Sequence, residues 1–109
     1  MSNFEKLKTF EPLASCLTIK NSTIHGLGLF AINEIPSHTE LGISHVKDDR
    51  FSHGYIRTPL GGFFNHSKKP NCKAVYDGDF IKIITLKNIN LGDEITVDYT
   101  KHNWIKIDE

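Results

Sequence analysis

Two short segments of this chain have polar side chains where an ordinary small β-domain would have packing residues. Residues 61–71, the Asn-His segment, read Gly-Gly-Phe-Phe-Asn-His-Ser-Lys-Lys-Pro-Asn, and residues 92–99, the tyrosine segment, read Gly-Asp-Glu-Ile-Thr-Val-Asp-Tyr. The side chains of Asn65, His66 and the following serine compete for backbone hydrogen bonds, which favours a tight loop. The amide, the imidazole and the Tyr99 phenol can bind and orient a polar ligand. Each segment alone would also suit a polar turn before a strand, or a core tyrosine with a bonded hydroxyl.

A third segment lies upstream and reads Ile-His-Gly-Leu-Gly-Leu-Phe-Ala over residues 24–31, the glycine segment. Gly26 and Gly28 would let the backbone approach a ligand closely or adopt positive φ. The segment is not the dinucleotide-binding fingerprint, because it lacks a third glycine at the required spacing and a helical pattern after it. A strand kinked by glycine, or a β-bulge, is the structural alternative.

The three segments, in this order along the chain, resemble the SET-domain protein lysine methyltransferases. Residues 65–71 are similar to the family signature Asn-His-Ser-x-x-Pro-Asn, and the tyrosine segment is similar to Gly-[Glu/Asp]-Glu-[Leu/Ile]-Thr-x-[Asp/Ser]-Tyr. Many members have a zinc-binding cysteine directly after Asn-His-Ser and three more after the final tyrosine. Here Lys68 takes the first position and no cysteine follows Tyr99. The chain therefore resembles the compact viral and bacterial members that lack the zinc-binding post-SET tail.

The resemblance implies a site for S-adenosylmethionine. In the family, a Gly-x-Gly backbone cradles this cofactor, and the Asn-His pair contacts its methionine and adenine parts. Because the cysteine-bearing tail is missing, the only tryptophan becomes the candidate lid. Carried over to this sequence, the cofactor-binding residues are Gly26, Leu27, Gly28, Asn65, His66 and Trp104.

The resemblance also implies a catalytic group and an acceptor. Tyr99 would point into the active site, orient the attacking amine and hold the transferring methyl group with its phenolic oxygen. A second tyrosine often tunes how many methyl groups are added, so Tyr55 and Tyr76 join Tyr99 as candidates for substrate binding. The acceptor is a protein or peptide with a lysine, histones included, and the degree of methylation stays open.

Methyl transfer from a sulfonium to an amine is an in-line displacement, which needs alignment rather than a metal ion. The amine must be neutral, whereas a free lysine has a pKa near ~10.4. The like charge of the sulfonium and an apolar channel would lower that pKa, so a dedicated general base is optional. Two alternatives stay open: a catalytically silent SET-like module that binds a peptide on a sheet edge, and a methyltransferase with a non-histone acceptor.

Composition limits the architecture and the partners. The 109 residues, 39% of them hydrophobic, suffice for one core, and we expect a single SET domain over residues 15–109 behind an N-terminal arm, residues 1–14. The 13 basic and 13 acidic side chains balance, which argues against direct binding of nucleic acid. No stretch is apolar enough to span a membrane, and neither a signal peptide nor a disulfide framework is found. We therefore expect a soluble, cytoplasmic protein (in the host nucleus if viral) without a metal site, which could form a homodimer.

Short runs of β-branched and apolar residues between turns predict a mainly β fold. The resemblance implies a β-clip-like SET fold of small, short-stranded sheets with a pseudoknot at the C-terminal motifs. No clear period is found over residues 51–60. Asp77-Gly78-Asp79 is expected to form the turn of a hairpin, and strands are expected over residues 16–20, 29–32, 39–46, 72–76, 80–86 and 94–99.

Overall fold

The computed structural model describes residues 13–51 and 54–99 of the chain. These residues form three small sheets and one short helix, so the prediction of a mainly β fold is confirmed. No helix among them is long and apolar enough to cross a membrane. In chain order the elements are β1 (Leu17–Asn21), β2 (Leu27–Ala31), β3 (Glu40–Lys47), β4 (Tyr55–Arg57), α1 (Pro59–Phe63), β5 (Asn65–His66), β6 (Cys72–Asp77), β7 (Phe80–Thr85) and β8 (Thr96–Val97).

The largest sheet has four strands in the order β4-β3-β7-β6, and all neighbours are antiparallel. Residues two apart on a strand share one face, and Ile81 and Ile83 on β7 are fully buried. The expected β6–β7 hairpin is present: Asp77 pairs with Phe80, and Gly78 adopts a φ of 60° in the turn. The runs of β-branched and apolar residues and the Asp-Gly turn signal therefore predicted this part of the fold correctly.

The second sheet pairs β1 with β2 in antiparallel fashion. Strand β2 also bonds to the tyrosine segment, because the Ile95 amide donates to the Leu29 carbonyl at 2.8 Å and the Ala31 amide donates to the Asp93 carbonyl at 2.9 Å. Leu29 and Ile95 are both fully buried. These bonds bring the glycine segment alongside the tyrosine segment.

The third sheet is a parallel pair of two-residue strands, β5 and β8, in which Asn65 lies opposite Thr96. Asn71 reinforces this pair, since its Nδ2 donates to the Glu94 carbonyl at 2.7 Å and its Oδ1 accepts from the Thr96 amide at 2.9 Å. Only two residues of the strand expected over residues 94–99 form a ladder, so that strand is shorter than expected. The two C-terminal motifs therefore lie side by side in a parallel pairing.

Within the stretch that has no clear period, residues 55–60 contain β4 and the start of α1. Thr58 caps the helix: its Oγ1 accepts from the Gly61 amide at 3.3 Å and donates to the Ile43 carbonyl at 2.6 Å. Gly61 lies against the Ser44 carbonyl, where any Cβ would collide. The glycine therefore allows α1 to pack directly on β3.

One hydrophobic core lies between the sheets and includes Leu29, Ile83 and Val97. Burial raises the pKa of the Cys72 thiol to about 12, which keeps it protonated and unreactive at neutral pH. Leu13 and Ala14, the end of the expected N-terminal arm, pack against this core. The remainder of that arm, residues 1–12, lies outside the described residues, as does Trp104.

Candidate active site

All three segments border one cleft of about 650 Å³. This volume is within the range of pockets that bind small molecules. Helix α1 and the end of β4 complete the wall. The described residues that line the cleft are Ile24, His25, Gly26, Leu27, His45, Arg57, Gly61, Gly62, Phe63, Phe64, Asn65, His66 and Tyr99.

A row of rings runs along the cleft from His45 through Phe64 and Tyr99 to His66. Successive ring centroids are 6.4, 6.0 and 5.1 Å apart. Phe64 and Tyr99 meet edge to face, which is a favourable geometry for aromatic pairs, and Tyr55 extends the row beyond His45 at 6.2 Å. Tyr99 is thus an inner member of the row, flanked by aromatic rings on both sides.

Two hydrogen bonds fix the position of Tyr99. Its hydroxyl donates to the Phe64 carbonyl at 2.8 Å, and its backbone amide donates to Nδ1 of His66 at 3.0 Å. Because Nδ1 accepts a hydrogen bond from the Tyr99 amide, a neutral His66 ring has its own proton on Nε2. The Asn-His segment therefore orients the tyrosine that ends the tyrosine segment.

The amide of Asn65 connects all three segments. Its Nδ2 donates to the Glu94 carboxylate at 2.7 Å, to the Ser22 hydroxyl at 3.2 Å, and to the carbonyls of His25 and Leu27 at 3.2 and 3.4 Å. Asn65 is buried, yet it borders the cleft. One side chain thus links the glycine segment to the tyrosine segment.

The glycine segment divides into two parts. Gly26 has a φ of 49°, and no heavy atom lies within 4 Å of the place where its Cβ would be, so its backbone is open. Leu27 also lines the cleft. Gly28 instead is buried against Glu94, where a Cβ would collide with the carboxylate. Gly26 and Leu27 can therefore contact a ligand directly, whereas Gly28 leaves room for Glu94.

The lining of the cleft is more apolar than polar, and its described residues include no carboxylate. Among the described residues that line it there is no aspartate or glutamate; Arg57 is the fixed positive charge, and three histidines accompany it. No group of three metal-binding side chains is found within residues 13–51 and 54–99. The cleft can accordingly bind an organic ligand through hydrogen bonds and ring contacts.

The expected substrate tyrosines occupy different places. Tyr55 contacts His45 at the edge of the cleft, whereas Tyr76 is 58% exposed on β6 and does not line the cleft. The expected lid residue, Trp104, lies outside the described part of the chain. Of the expected residues, the cleft therefore brings together Gly26, Leu27, Asn65, His66 and Tyr99.

Several residues that line the cleft were not predicted from the sequence. His45 and Arg57 come from β3 and β4, and no motif marked them. Phe63 and Phe64 stand directly before Asn65, so the aromatic pair in the Asn-His segment was the available signal. Glu94, which the family pattern requires, bonds to Asn65 from behind the cleft wall.

Comparison with known proteins identifies relatives of the sequence. The family model described as the SET domain matches residues 43–100. A histone-lysine N-methyltransferase of Schizosaccharomyces pombe, specific for H3 lysine-37, is 27% identical over 117 residues, covering 86% of this chain and 80% of that protein. A SET and MYND domain-containing protein of Dictyostelium discoideum is 39% identical over 46 residues, covering 42% of this chain and 11% of that protein.

Solved structures share the fold. A candidate histone methyltransferase of Plasmodium falciparum superposes with a TM-score of 0.62 at 22% identity, covering 76% of this chain and 91% of that chain. The methyltransferase domain of human PR domain-containing protein 2 gives a TM-score of 0.62 at 15% identity, covering 86% of this chain and 81% of that chain. The SET family model covers more than half of the chain, and the motifs and the fold agree with it. The chain belongs to the SET-domain family of protein lysine methyltransferases.

Proposed function

We propose that this protein transfers a methyl group from S-adenosylmethionine to the side-chain amine of a lysine in a protein. The observation that supports this best is the meeting of three segments, distant in sequence, at one cleft. The cleft offers an open backbone at Gly26, the amide of Asn65 and the phenol of Tyr99. A backbone cradle, an anchoring amide and a phenol are the groups that this reaction requires from the protein.

The residues near Asn65 fit the amino-acid part of S-adenosylmethionine. Asn65 can offer its side-chain oxygen to the ligand's ammonium group, and the open backbone at Gly26 and Leu27 can approach the ligand closely. His66 and Trp104 are proposed as further cofactor contacts. When bound, S-adenosylmethionine would supply a methyl group on positively charged sulfur. The lysine amine, after losing a proton to water, would bond to that methyl group through its lone pair as the carbon–sulfur bond breaks, so that S-adenosylhomocysteine leaves and the product is a methylated ammonium group.

The side chains around Tyr99 would align the acceptor amine and favour its neutral form. Because the Tyr99 hydroxyl donates its proton to the Phe64 carbonyl, its oxygen presents lone pairs to the amine and can orient an N–H group. The rings of Phe63 and Phe64 exclude water, which disfavours the charged form of the amine. Alignment of this kind can lower a barrier by about 7–11 kcal/mol.

Histone H3 is the first acceptor to test, since the relative from Schizosaccharomyces pombe is specific for H3 lysine-37. The charge of the cleft lining favours a second candidate acceptor. Basic histone tails bind best to negative surfaces, whereas no carboxylate is found among the described residues that line the cleft. A non-histone protein, with its lysine among acidic or neutral neighbours, is therefore the alternative acceptor.

The direct experiment combines calorimetry with S-adenosylmethionine and incubation with methyl-labelled cofactor. The acceptor panel contains histone H3 and acidic non-histone proteins, and mass spectrometry locates the labelled residues. We expect binding of the cofactor and label on lysine. Asn65→Ala is the matched variant and should weaken cofactor binding about tenfold or more, since hydrogen bonds to charged groups contribute most.

Three results would count against the proposal in different ways. Absence of both binding and label would reject the methyltransferase function. Cofactor binding without label on any acceptor would reject the acceptors of this panel, whereas the silent peptide-binding module predicts cofactor binding that is weak or absent. Normal cofactor affinity in Asn65→Ala would reject the assignment of Asn65.

A further inference from the structure

Glu94 lies behind the cleft wall. Its carboxylate bonds to Ser22, two residues before the glycine segment, and to Asn65 of the Asn-His segment. Its two carboxylate oxygens accept from the Ser22 hydroxyl at 2.8 Å each, and Oε2 accepts from Nδ2 of Asn65 at 2.7 Å. The Ser22 oxygen in turn accepts from the amides of Ile24 and His25 at 2.9 and 3.3 Å. A single carboxylate thus fixes the loop of the glycine segment and the Asn65 amide together.

These contacts determine which way the Asn65 amide points. The carboxylate of Glu94 and the carbonyls of His25 and Leu27 can only accept hydrogen bonds, so the group that faces them must be the NH₂ group. The bond to Glu94 is the shortest of the set and includes a charged partner, which makes it the strongest. The orientation of the amide therefore follows from the chemistry of its neighbours.

The opposite side of the amide faces the cleft. No described residue bonds to Oδ1 of Asn65. In the described part of the chain, every fully buried side-chain oxygen has a hydrogen-bond partner. Oδ1 is therefore not sealed in the core, and Asn65 borders the cleft. This oxygen is an acceptor presented to whatever occupies the cleft.

We propose that Glu94, assisted by Ser22, is a positioning residue that sets the polarity of the Asn65 amide for a ligand with an ammonium group. The inference rests on the proposed function, in which that ligand is S-adenosylmethionine. If the amide were reversed, its NH₂ group would meet the ammonium group with a partial positive charge. Glu94 thus makes the Asn65 end of the cleft selective for the amino-acid part of the ligand.

Gly28 provides independent support for this arrangement. A Cβ at this position would collide with the Glu94 carboxylate, and it would also lie 3.1 Å from Cβ of Ser22. The glycine is therefore needed to admit the carboxylate to its place beside Asn65. Gly28→Ala should displace Glu94 and reproduce the binding defect of a Glu94 variant.

Two ligands separate positioning from mere structural support. S-adenosylhomocysteine has the amino-acid group, whereas 5′-methylthioadenosine shares its adenosine and thioether but lacks that group. We expect Glu94→Ala to weaken binding of S-adenosylhomocysteine about tenfold and to leave binding of 5′-methylthioadenosine unchanged. Glu94→Gln, which keeps one acceptor oxygen, should give an intermediate loss. Calorimetry with both ligands measures the ratio of the dissociation constants.

Asp93→Asn is the matched control, since the Asp93 carboxylate accepts from the Asn90 amide in an exposed turn and does not contact Asn65. It should leave both affinities unchanged.

If Glu94→Ala does not fold, Ser22→Ala removes the hydroxyl that holds the carboxylate, and it should show the same selective loss. Equal weakening of both ligands, or no weakening of either, would overturn the positioning role. Failure of the unmodified protein to bind S-adenosylhomocysteine would instead reject the proposed function.

Discussion

The four-stranded sheet and the junction of the three segments are held together by different kinds of bond. In the sheet, β7 pairs with both β3 and β6 through extended backbone ladders, and Ile83 is fully buried. At the junction, β5 and β8 pair over two residues only. Single side chains make the remaining connections, above all the amides of Asn65 and Asn71.

The difference indicates which substitutions each region tolerates. A strand fixed by many equivalent backbone bonds can lose one polar contact with little consequence. A junction that depends on a single amide does not tolerate the loss of that amide, because the groups that bonded to it are left without hydrogen-bond partners. We therefore expect changes in the sheet to alter stability, and changes at the junction to alter ligand binding and turnover as well.

The largest effect on stability is expected from the sheet. Ile83→Ala removes a side chain with 0% exposure, and the resulting cavity should lower the free energy of unfolding by about 2–5 kcal/mol. Urea denaturation measures this loss. The cofactor affinity of the folded protein should not change, because Ile83 does not line the cleft. A stability loss accompanied by a proportionate loss of affinity would break the distinction between the regions.

Tyr99→Phe should give the largest effect on turnover. Without the phenolic oxygen the amine is no longer oriented, and we expect a loss of about 100-fold in kcat with little change in the dissociation constant for S-adenosylmethionine. Tyr76→Phe is the control, since Tyr76 lies outside the lining of the cleft, and it should retain full turnover. Equal turnover in the two variants would reject the role of Tyr99.

Asn71→Ala tests how far the junction depends on one side-chain amide, at a residue that does not line the cleft. The substitution leaves the Glu94 carbonyl and the Thr96 amide without their partner, which should cost about 1–3 kcal/mol of stability. Cofactor binding should weaken too, because β5 is released from β8. Asn88→Ala is the control: Asn88 also accepts from a backbone amide, that of Ser37, but at the surface. Similar results for both variants would contradict the special dependence of the junction on Asn71.

The smallest effect is expected for an ion pair of the sheet. Lys82 contacts Asp77 at 2.8 Å and Glu40 at 3.2 Å, and the pKa of Lys82 is raised, chiefly by its hydrogen bond to Asp77. A raised pKa stabilises the fold at neutral pH, and that contribution disappears only as the pH rises through the folded-state pKa. Lys82→Gln should therefore cost about 1 kcal/mol or less at pH 7, measured by thermal unfolding. A larger loss would show that the sheet, too, depends on single polar contacts.

The sequence predicted the two regions to different extents. The β6–β7 hairpin follows from two short runs of β-branched and apolar residues on either side of the turn at Gly78, so local sequence signals identified it. The contacts at the cleft join residues far apart in sequence, so local patterns could not predict them. The family resemblance identified the segments that meet there. Neither source could foresee that Gly28 would face Glu94 rather than the cleft, since this depends on how the glycine segment packs on the tyrosine segment.

Two further features were beyond sequence patterns. The described part of residues 51–60 has no period because it holds a three-residue strand and the start of a helix that begins at Pro59 and is capped by Thr58. The β-branched residues predict a strand over residues 94–99, but the strand in the structure is shorter. At Thr96 the backbone amide donates to the side-chain oxygen of Asn71 instead of to a backbone carbonyl. Side chains that substitute for backbone bonds leave no periodic signal.

A crystal structure of this protein with S-adenosylhomocysteine would test the central claim most directly. We expect the ligand in the cleft, with its ammonium group at Oδ1 of Asn65, its backbone contacts at Gly26, and its sulfur turned toward the Tyr99 hydroxyl. A ligand bound elsewhere, or a Tyr99 remote from both Asn65 and Gly26, would contradict the account.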